Sequence, residues 1–295
     1  MKKLFTLLFV SLFVFVLAAC GGQDSTQEDT NGDDSQTEGN TTEQAEESEE
    51  EATTITVGAT AIPHSEVLEE AKPLLEEKGI NLNIETYDEY ILPNRDLSEG
   101  RIDANYYQHT PFLNQQKEEF DYDFASLGGI HIEPMGVYSK NINSVEEIPD
   151  GTTVILSNSV ADHGRILALF EREGLISFKD GVDPQSATLD DITENPKDLK
   201  FDAKYEAATL PQYYEREEDV LVAINTNYAI EAGLQPSKDA LILEGSESPY
   251  ANLVVTKSEN KDSEALQTLV EVLRSEEIQS FMEEKYNGAI VPVSE

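Results

Sequence analysis

The segment DANYYQHTPFL, residues 103–113, concentrates three aromatic rings and one imidazole in a short stretch of chain. The rings belong to Tyr106, Tyr107 and Phe112, and the imidazole belongs to His109. Aromatic faces and a neutral imidazole donor can surround a small, partly apolar ligand. The same residue types also fill hydrophobic cores at the ends of strands. The segment alone therefore leaves two interpretations open, a core-filling cluster and one wall of a binding site.

Patterns that would indicate catalysis or metal binding are absent from the sequence. There is no GxSxG elbow, no HExxH motif and no phosphate-binding loop. The single cysteine, Cys20, allows no internal disulfide and lies in the N-terminal segment. The four histidines, His64, His109, His131 and His163, show no spacing typical of metal ligands. We therefore expect no enzyme activity, no metal and no other cofactor.

The chain is strongly acidic, with 59 Asp and Glu against 20 Lys and Arg and a formal net charge of -39. A charge of this size repels phosphate groups, and we therefore expect no nucleic-acid partner. The length of 295 residues exceeds the usual size of a single hydrophobic core. Two medium-sized domains are the favoured organisation.

The first 20 residues, MKKLFTLLFVSLFVFVLAAC, have the anatomy of a signal peptide. Two lysines precede an apolar run of about 16 residues, shorter than the ~20 that a membrane-spanning helix requires. The LAAC ending resembles the lipobox of bacterial lipoproteins, which implies that Cys20 is acylated and anchors the protein to the membrane. Residues 21–54 are acidic, contain no Lys or Arg and carry little apolar surface. We expect them to form a disordered linker.

Strand and helix patterns alternate after the linker. A β-branched run predicts a strand over 54–60, and apolar residues at helical spacing predict a helix over 64–79. Alternating apolar residues predict a second strand over 80–87. A strand over 102–108 and a helix over 111–120 continue the pattern. This order is typical of βαβ units with a mainly parallel sheet.

A Pro-Asp-Gly turn begins a second unit of the same kind. It leads into a strand over 149–158, which is followed by a helix over 164–174. Further strands are predicted over 198–205 and 220–226, with a helix over 210–217 between them. The predicted fold class is therefore α/β with two lobes.

The C-terminal part of the chain supplies one more strand and a helical region. Residues 251–257 predict the strand, and residues 263–286 place apolar side chains on helical faces. We assign residues 55–140 and 250–295 to lobe 1 and residues 141–249 to lobe 2. Ligands of α/β proteins usually bind where strand ends face a crevice, so we expect a site between the lobes.

Eight segments resemble the methionine-binding lipoproteins of the NlpA/MetQ family. In chain order they are VGATAIPHSEVLE, EYILPN, DANYYQHTPFL, HIEPMGVYSK, ENPKDLKF, AINTNYAIEAGL, SPYANLVV and EKYNGAIVPV. The resemblance covers nearly all of residues 54–293. It implies a periplasmic-binding-protein-like (type II) fold, in which crossover strands join two lobes that close over a small ligand. It also implies a role as the substrate-binding component of an ABC-type amino-acid importer.

The resemblance further implies a set of pocket residues. They are Tyr90, Tyr107, His109, Phe112, Arg165, Asn225 and Asn252. The planar guanidinium of Arg165 can donate two parallel bonds to a ligand carboxylate. The amides of the two asparagines can accept from an ammonium group and donate to a carboxylate. The three rings can flank an unbranched thioether, and His109 can donate to the ligand while neutral.

Two departures from the family pattern leave the ligand open. The loop SNSVADHGR, residues 157–165, lacks the prolines common in the family, and His163 stands where an acid is usual. Ala61 and Ile62 stand where proline and glycine are common. Methionine or a close relative is the expected ligand. A methionine-containing dipeptide or another apolar amino acid remains open, and a metal-binding or purely structural lipoprotein is less favoured.

The same resemblance implies the partners and the location of the protein. We expect it to deliver its ligand to the permease and ATPase subunits of an ABC transporter. We expect it to lie at the outer face of the cytoplasmic membrane, held by the lipid on Cys20.

Overall fold

The computed structural model of the protein describes residues 52–245 and 248–293. The predicted signal peptide (1–20) with Cys20, the predicted acylation site, and most of the predicted linker lie outside the described residues. Within the described ranges, no helix is both long enough and apolar enough to cross a bilayer.

Thirteen strands occur among the described residues. In chain order they are β1 (Thr53–Thr60), β2 (Ile80–Tyr87), β3 (Ala104–His109), β4 (Phe124–Ile132), β5 (Gly136–Tyr138), β6 (Thr153–Ser157), β7 (Ser177–Phe178), β8 (Ile192–Glu194), β9 (Lys200–Tyr205), β10 (Val220–Ile224), β11 (Ile242–Leu243), β12 (Ala251–Lys257) and β13 (Val291–Pro292). Thr53 and Thr54, which the sequence placed in the linker, pair with β2 and belong to β1.

Nine α-helices occur in the same part of the chain. They are α1 (Glu66–Glu76), α2 (Leu92–Ser98), α3 (Thr110–Phe120), α4 (Val160–Arg172), α5 (Leu210–Arg216), α6 (Thr226–Glu231), α7 (Pro236–Asp239), α8 (Glu264–Leu273) and α9 (Glu276–Tyr286). Helices predicted over 64–79, 111–120 and 210–217 are confirmed as α1, α3 and α5. A 3-10 segment, Pro184–Ser186, packs against α4.

The first sheet has the strand order β13-β4-β12-β3-β1-β2. Strand β1 is parallel to β2 and β3, which confirms the predicted βαβ unit, and β12 runs antiparallel to β3 and β4. Apolar faces of α1, α8 and α9 pack in the hydrophobic core of this sheet. This packing fixes β3 and β12 side by side in the middle of the sheet.

The second sheet has the strand order β11-β5-β10-β6-β9. Strand β6 is parallel to β9 and β10, and β5 is antiparallel to β10 and β11. The buried face of α4, which includes Ile166, Leu167 and Phe170, packs in a separate core with strands of this sheet. Each sheet therefore has its own hydrophobic core, and the predicted two-lobed α/β fold is confirmed.

Two crossover segments connect the sheets. The chain passes from β4 to β5 through residues 133–135 and returns from β11 to β12 through residues 244–250. The crossovers touch, because the backbone N–H of Glu244 donates to Met135 O at 2.9 Å and Met135 N–H donates to a Glu244 carboxylate oxygen at 2.9 Å. The sequence analysis placed the lobe boundary at residue 140, after β5, whereas β5 pairs in the second sheet. The apolar run over residues 124–139 continues through the point where the chain passes from one sheet to the other, so the sequence does not mark that point.

Two helices differ from their predicted bounds. The helix predicted to start at 164 starts at Val160, so that its first turn includes Asp162. The helical region over 263–286 is two helices, and Ser275 begins the second by accepting from the backbone N–H of Ile278 at 3.4 Å. In both cases the helix boundary lies at a serine, which the apolar periodicity does not mark.

Gly164 allows α4 to lie directly on the backbone of the Pro184–Ser186 segment. A Cβ at this position would lie 2.6 Å from the carbonyl carbon of Gln185 and 2.8 Å from Pro184 O. Backbone atoms cannot move aside as the end of a flexible side chain can, so the segment or the helix would have to shift. This contact therefore helps to position the helix that carries Asp162 and Arg165.

We expect Gly164→Ala to lower the free energy of unfolding by about 1–3 kcal/mol, because the added methyl group overlaps backbone. Urea denaturation followed by circular dichroism measures the change. Gly245→Ala is the matched control, since a Cβ there meets no atom within 4 Å. Equal unfolding midpoints for the two variants would contradict the proposed close contact.

Candidate ligand-binding site

A cleft between the two sheets contains about 420 Å³ of space that protein atoms do not fill, and part of this space is open to solvent. Its lining residues are Tyr90, Tyr107, Gln108, His109, Phe112, Glu133, Asp162, Arg165, Asn225, Thr226, Asn227 and Asn252. The structure thus brings together all seven residues that the family resemblance implied. Their contact with a ligand stays a prediction.

The first sheet supplies one wall through the end of β3. Tyr107 and His109 are at this end, and α3 follows at once and carries Phe112. Strand β12 runs beside β3 and places Asn252 opposite His109. Tyr90 lies in the turn between β2 and α2 and completes the wall.

The second sheet supplies the opposite wall through the carboxyl ends of β6 and β10. Helix α4 follows β6, and helix α6 follows β10, so both helices begin at the same edge of the sheet. Asp162 and Arg165 are three residues apart on α4 and share one helix face. Asn225 caps α6, and Thr226 and Asn227 form its first turn.

Three aromatic rings, Tyr90, Tyr107 and Phe112, line the apolar part of the site, and the ring of Tyr228 packs against Tyr90. The ring of Tyr90 lies 5.9 Å from Tyr107, 6.0 Å from Phe112 and 5.1 Å from Tyr228, measured between centroids. The hydroxyl of Tyr107 donates to Tyr90 O at 2.8 Å, and the hydroxyl of Tyr90 donates to the side-chain oxygen of Asn227 at 2.6 Å. Burial raises the pKa of Tyr90 and of Tyr107 well above the usual value, so both hydroxyls remain donors at neutral pH.

Arg165 is only 5% exposed and is held by both crossover segments. Its Nε and Nη2 donate to one carboxylate oxygen of Glu244 at 2.8 and 2.5 Å, and Nη2 also donates to Glu133 O. The guanidinium carbon lies 4.6 Å from the ring centroid of Tyr250. Among the described residues, Nη1 alone of its nitrogens has no hydrogen-bond partner. One nitrogen, rather than the whole planar fork, is therefore free for a ligand carboxylate.

Asp162 is a buried carboxylate that lines the cavity, and it is 2% exposed. Its Oδ1 is 3.0 Å from Nε2 of His109, and its Oδ2 accepts from Nδ2 of Asn225 at 3.3 Å. Nδ1 of His109 accepts from Phe112 N–H at 3.3 Å, so the ring proton lies on Nε2 and is donated to Asp162. The sequence analysis assigned this donor to the ligand, whereas here it is used by the carboxylate.

The electrostatic surroundings of Asp162 favour its anionic form. Burial by itself would raise the pKa of the carboxyl group, but the hydrogen bond from His109, the electrostatic interaction with the same ring, the charge of Arg165 and the hydrogen bond from Asn225 lower it below the usual value. Asp162 also lies in the first turn of α4, where the helix dipole favours a negative charge. The cavity therefore contains a carboxylate and a guanidinium on adjacent turns of one helix.

Glu133 lies in the first crossover and connects residues from both sheets. Its Oε1 is 2.9 Å from Nε2 of His131 and 3.1 Å from Nε2 of His64. Its Oε2 accepts from the backbone N–H of Asn227 at 3.2 Å, at the start of α6. Burial by itself would raise the pKa of Glu133, but the two imidazoles and Arg165 hold it below the usual value.

The tertiary structure brings together two histidines that are far apart in the sequence. The ligand atoms of His64, His131 and Glu133 lie within 4.8 Å of one another, and this donor set fits zinc or a similar metal in type. Hydrogen bonds account for the same arrangement. Nδ1 of His64 is 2.7 Å from the Thr60 hydroxyl, and Nδ1 of His131 contacts the Tyr106 hydroxyl. With these bonds both rings carry their proton on Nε2. His131 donates it to Glu133, and His64 donates it to the side-chain oxygen of Asn252 at 3.3 Å.

Sequence reasoning missed five of the lining residues: Gln108, Glu133, Asp162, Thr226 and Asn227. Four of them lie inside segments already quoted for the family resemblance, namely DANYYQHTPFL, HIEPMGVYSK and AINTNYAIEAGL. Asp162 was missed because the predicted helix began after it. The side-chain nitrogen of Asn227 is buried and has no hydrogen-bond partner among the described residues, so it is a free donor at the cavity.

Two α/β halves, two crossovers and an enclosed cavity with charged, amide and aromatic walls define a two-lobed solute-binding protein of the type II periplasmic class. A family model described as "NlpA lipoprotein" matches residues 55–294. The chain belongs to the NlpA lipoprotein family. The family resemblance seen in the sequence is thereby confirmed.

Individual relatives agree with this assignment over most of their length. The methionine-binding lipoprotein MetQ of Bacillus subtilis is 42% identical over 297 residues, which is 100% of both chains. A nutrient-binding protein from Burkholderia cenocepacia, solved bound to methionine, is 37% identical with a TM-score of 0.76, covering 81% of this chain and 99% of that one. A periplasmic substrate-binding protein of an ABC transporter from Coxiella burnetii is 37% identical with a TM-score of 0.76, covering 81% and 100%.

The buried His64 makes stability depend on pH. Burial lowers its pKa from 6.5 to about 4, although Glu133 acts in the opposite direction. Between these values the unfolded chain binds a proton that the folded protein does not, so the free energy of unfolding falls as the pH falls. We expect a loss of about 2 kcal/mol from this group between pH 7.5 and pH 5.

Urea denaturation at both pH values tests this expectation. His64→Gln removes the titrating group, so this variant should lose about 2 kcal/mol less than the wild type over the same interval. His163→Gln is the matched control, because it removes an imidazole that lies partly exposed on α4. A His64→Gln variant with the same pH dependence as the wild type would contradict the assignment.

Proposed function

We propose that the protein is a lipid-anchored, extracytoplasmic solute-binding protein that captures methionine or a close relative in the cavity between its lobes. In this proposal it catalyses no reaction and delivers the ligand to the permease and ATPase subunits of an ABC-type importer. Its anchor is the lipid on Cys20, which holds it at the outer face of the cytoplasmic membrane. The matching names and bound ligand of its relatives support the choice of ligand and partner.

One observation carries the proposal. Side chains from three sequence-distant segments, the end of β3, α4 and the start of α6, meet in one cavity with both a charged part and an aromatic part. A free amino acid presents an ammonium group, a carboxylate and a side chain, and burying its charges is costly unless each meets a charge-assisted partner. The cavity offers partners of each kind within one enclosed space.

The aromatic part suits the side chain of methionine. Tyr90, Tyr107 and Phe112 have centroids 5.9 to 6.2 Å apart, so the three rings pack against one another and form one aromatic wall of the cavity. A flexible thioether gains ~0.3 to 1.5 kcal/mol from each sulfur-aromatic contact. Nη1 of Arg165 and Nδ2 of Asn227 are the free donors for the ligand carboxylate. A micromolar dissociation constant needs about 8 kcal/mol of net binding, to which these contacts and the burial of the apolar side chain contribute.

Delivery to a transporter requires that the bound protein differ in shape from the free one. Two contacts connect opposite walls in this structure, His109 with Asp162 and Tyr90 with Asn227, and a third connects Glu133 in the first crossover with the backbone of Asn227. All three are polar and adjoin the cavity, so a ligand in the cavity favours the conformation in which the walls approach. Movement about the two crossover segments would open the cavity.

A methionine-containing dipeptide and another apolar amino acid are the alternative ligands. A metal-binding function has one observation in its favour, the convergence of His64, His131 and Glu133. The hydroxyls of Thr60 and Tyr106 already satisfy the Nδ1 atoms of the two rings. The Nε2 atom of His131 donates to Glu133, and that of His64 donates to Asn252. Hydrogen bonding therefore explains the cluster, and the amino-acid function is the better supported.

We expect Arg165→Ala to weaken methionine binding by about 10- to 100-fold, because a charge-assisted hydrogen bond to the carboxylate is lost. Isothermal titration calorimetry measures the change. Arg172→Ala is the matched control, since Arg172 lies at the exposed end of the same helix and pairs with Glu173. Arg165→Lys should also bind more weakly while keeping a positive charge beside Glu244. Unchanged affinity in both Arg165 variants would reject the role of this residue.

A thermal-shift screen of the signal-free protein tests the choice of ligand. We expect methionine to raise the melting temperature more than leucine does, because only the thioether gains sulfur-aromatic contacts. Methionine sulfoxides and methionine dipeptides complete the set of ligands. The sample is first unfolded and refolded so that a co-purified ligand does not mask the shift. A larger shift with a dipeptide would replace methionine by the first alternative, and no shift with any ligand would reject the proposed function.

A further inference from the structure

We propose that Asp162 binds the ammonium group of the ligand and makes a free α-amino group a requirement for binding. This inference rests on the proposed amino-acid function and adds the residue that recognises one of the two charged ends. The sequence analysis assigned this role to asparagine amides. Asp162 is a stronger candidate because it is an anion that lines the cavity and is almost wholly buried.

The charge of Asp162 has no direct cationic partner in the described part of the chain. Its only close contacts are Nε2 of His109 and Nδ2 of Asn225, and both are neutral donors. The neutral state of His109 follows from its other nitrogen, which accepts from the backbone N–H of Phe112. A buried carboxylate is costly unless it is paired with a positive charge. A ligand ammonium group in the cavity completes this pairing.

Asp162 also has unused hydrogen-bonding capacity. An ionised carboxylate offers about four lone-pair positions, and two of those on Asp162 are occupied. Glu133 is the other carboxylate at the cavity. Its oxygens accept from His131 and from the backbone N–H of Asn227, and Nε2 of His64 lies 3.1 Å from its Oε1. Glu244 does not line the cavity and is taken by Arg165. Asp162 is therefore the carboxylate with room for two of the three N–H groups of an ammonium group.

Helix α4 places the two complementary charges at a suitable separation. Asp162 and Arg165 are at positions i and i+3, so their side chains leave the same face of the helix one turn apart. The ammonium and carboxylate groups of an amino acid are attached to the same carbon atom. A single rigid helix turn can therefore meet both ends, with His109 and Asn225 acting as positioning residues for Asp162.

The test compares methionine with 4-(methylthio)butanoate, which is methionine without its amino group. We expect the refolded wild-type protein to bind methionine at least 100-fold more tightly in isothermal titration calorimetry. Asp162→Asn should weaken methionine binding by about 10- to 100-fold and leave binding of the des-amino compound unchanged or improved. Glu173→Gln, at the exposed end of α4, is the matched control and should keep the wild-type preference.

The possible results separate this inference from the proposed function. If the wild type binds neither compound nor any other amino acid, the proposed function fails and the inference fails with it. If the wild type binds methionine but Asp162→Asn weakens both compounds equally, Asp162 has only a structural role and the inference alone is overturned. If circular dichroism shows that Asp162→Asn does not fold, the test uses the wild-type protein alone. Equal affinity of the wild type for methionine and N-acetylmethionine would then overturn the inference.

Discussion

The pairing of buried charges is the constraint on which the centre of this molecule depends. Arg165 is buried between the two sheets, where an isolated guanidinium would be strongly unfavourable. It is satisfied by the carboxylate of Glu244 in one crossover and the carbonyl of Glu133 in the other. The same residue that faces the cavity therefore also holds together the two segments about which the lobes would move. Ligand recognition and hinge geometry share one side chain.

A second consequence of the same constraint is that the cavity needs both lobes. Each sheet has its own hydrophobic core, and apolar contact between the halves is local: Tyr90 packs on Tyr228, and Ile230 packs against the core of the first sheet. Hydrogen bonds also cross the cavity, among them His109 with Asp162 and Tyr90 with Asn227. Such bonds contribute modestly in water and more in a dry site. A ligand that excludes water and supplies the missing charges would therefore stabilise the closed arrangement.

The sequence predicted most of the regular structure, because long periodic segments report which face is buried. Strand β12 was predicted at its observed bounds, and α1, α3 and α5 within a few residues. The two errors of consequence concern chain segments whose apolar pattern does not change at the boundary. The continuous apolar run over residues 124–139 gave no sign that the chain passes from one sheet to the other. The first turn of α4 is polar, so the predicted helix began too late to include Asp162. Both places adjoin the cavity, where polar side chains and crossovers replace regular periodicity.

The sequence by itself determined the α/β class and the order of the elements, because these depend on local periodicity. It also determined the family, and through the family the seven predicted pocket residues, because these depend on motif identity. Tertiary structure alone decided how those residues are used. It placed His64 and His131 beside the carboxylate of Glu133 and paired the ring N–H of His109 with Asp162. It also left one nitrogen of Arg165 without a hydrogen-bond partner among the described residues. These outcomes depend on distances between segments that are far apart in the chain, and hydrogen bonding in a buried space is set by those distances.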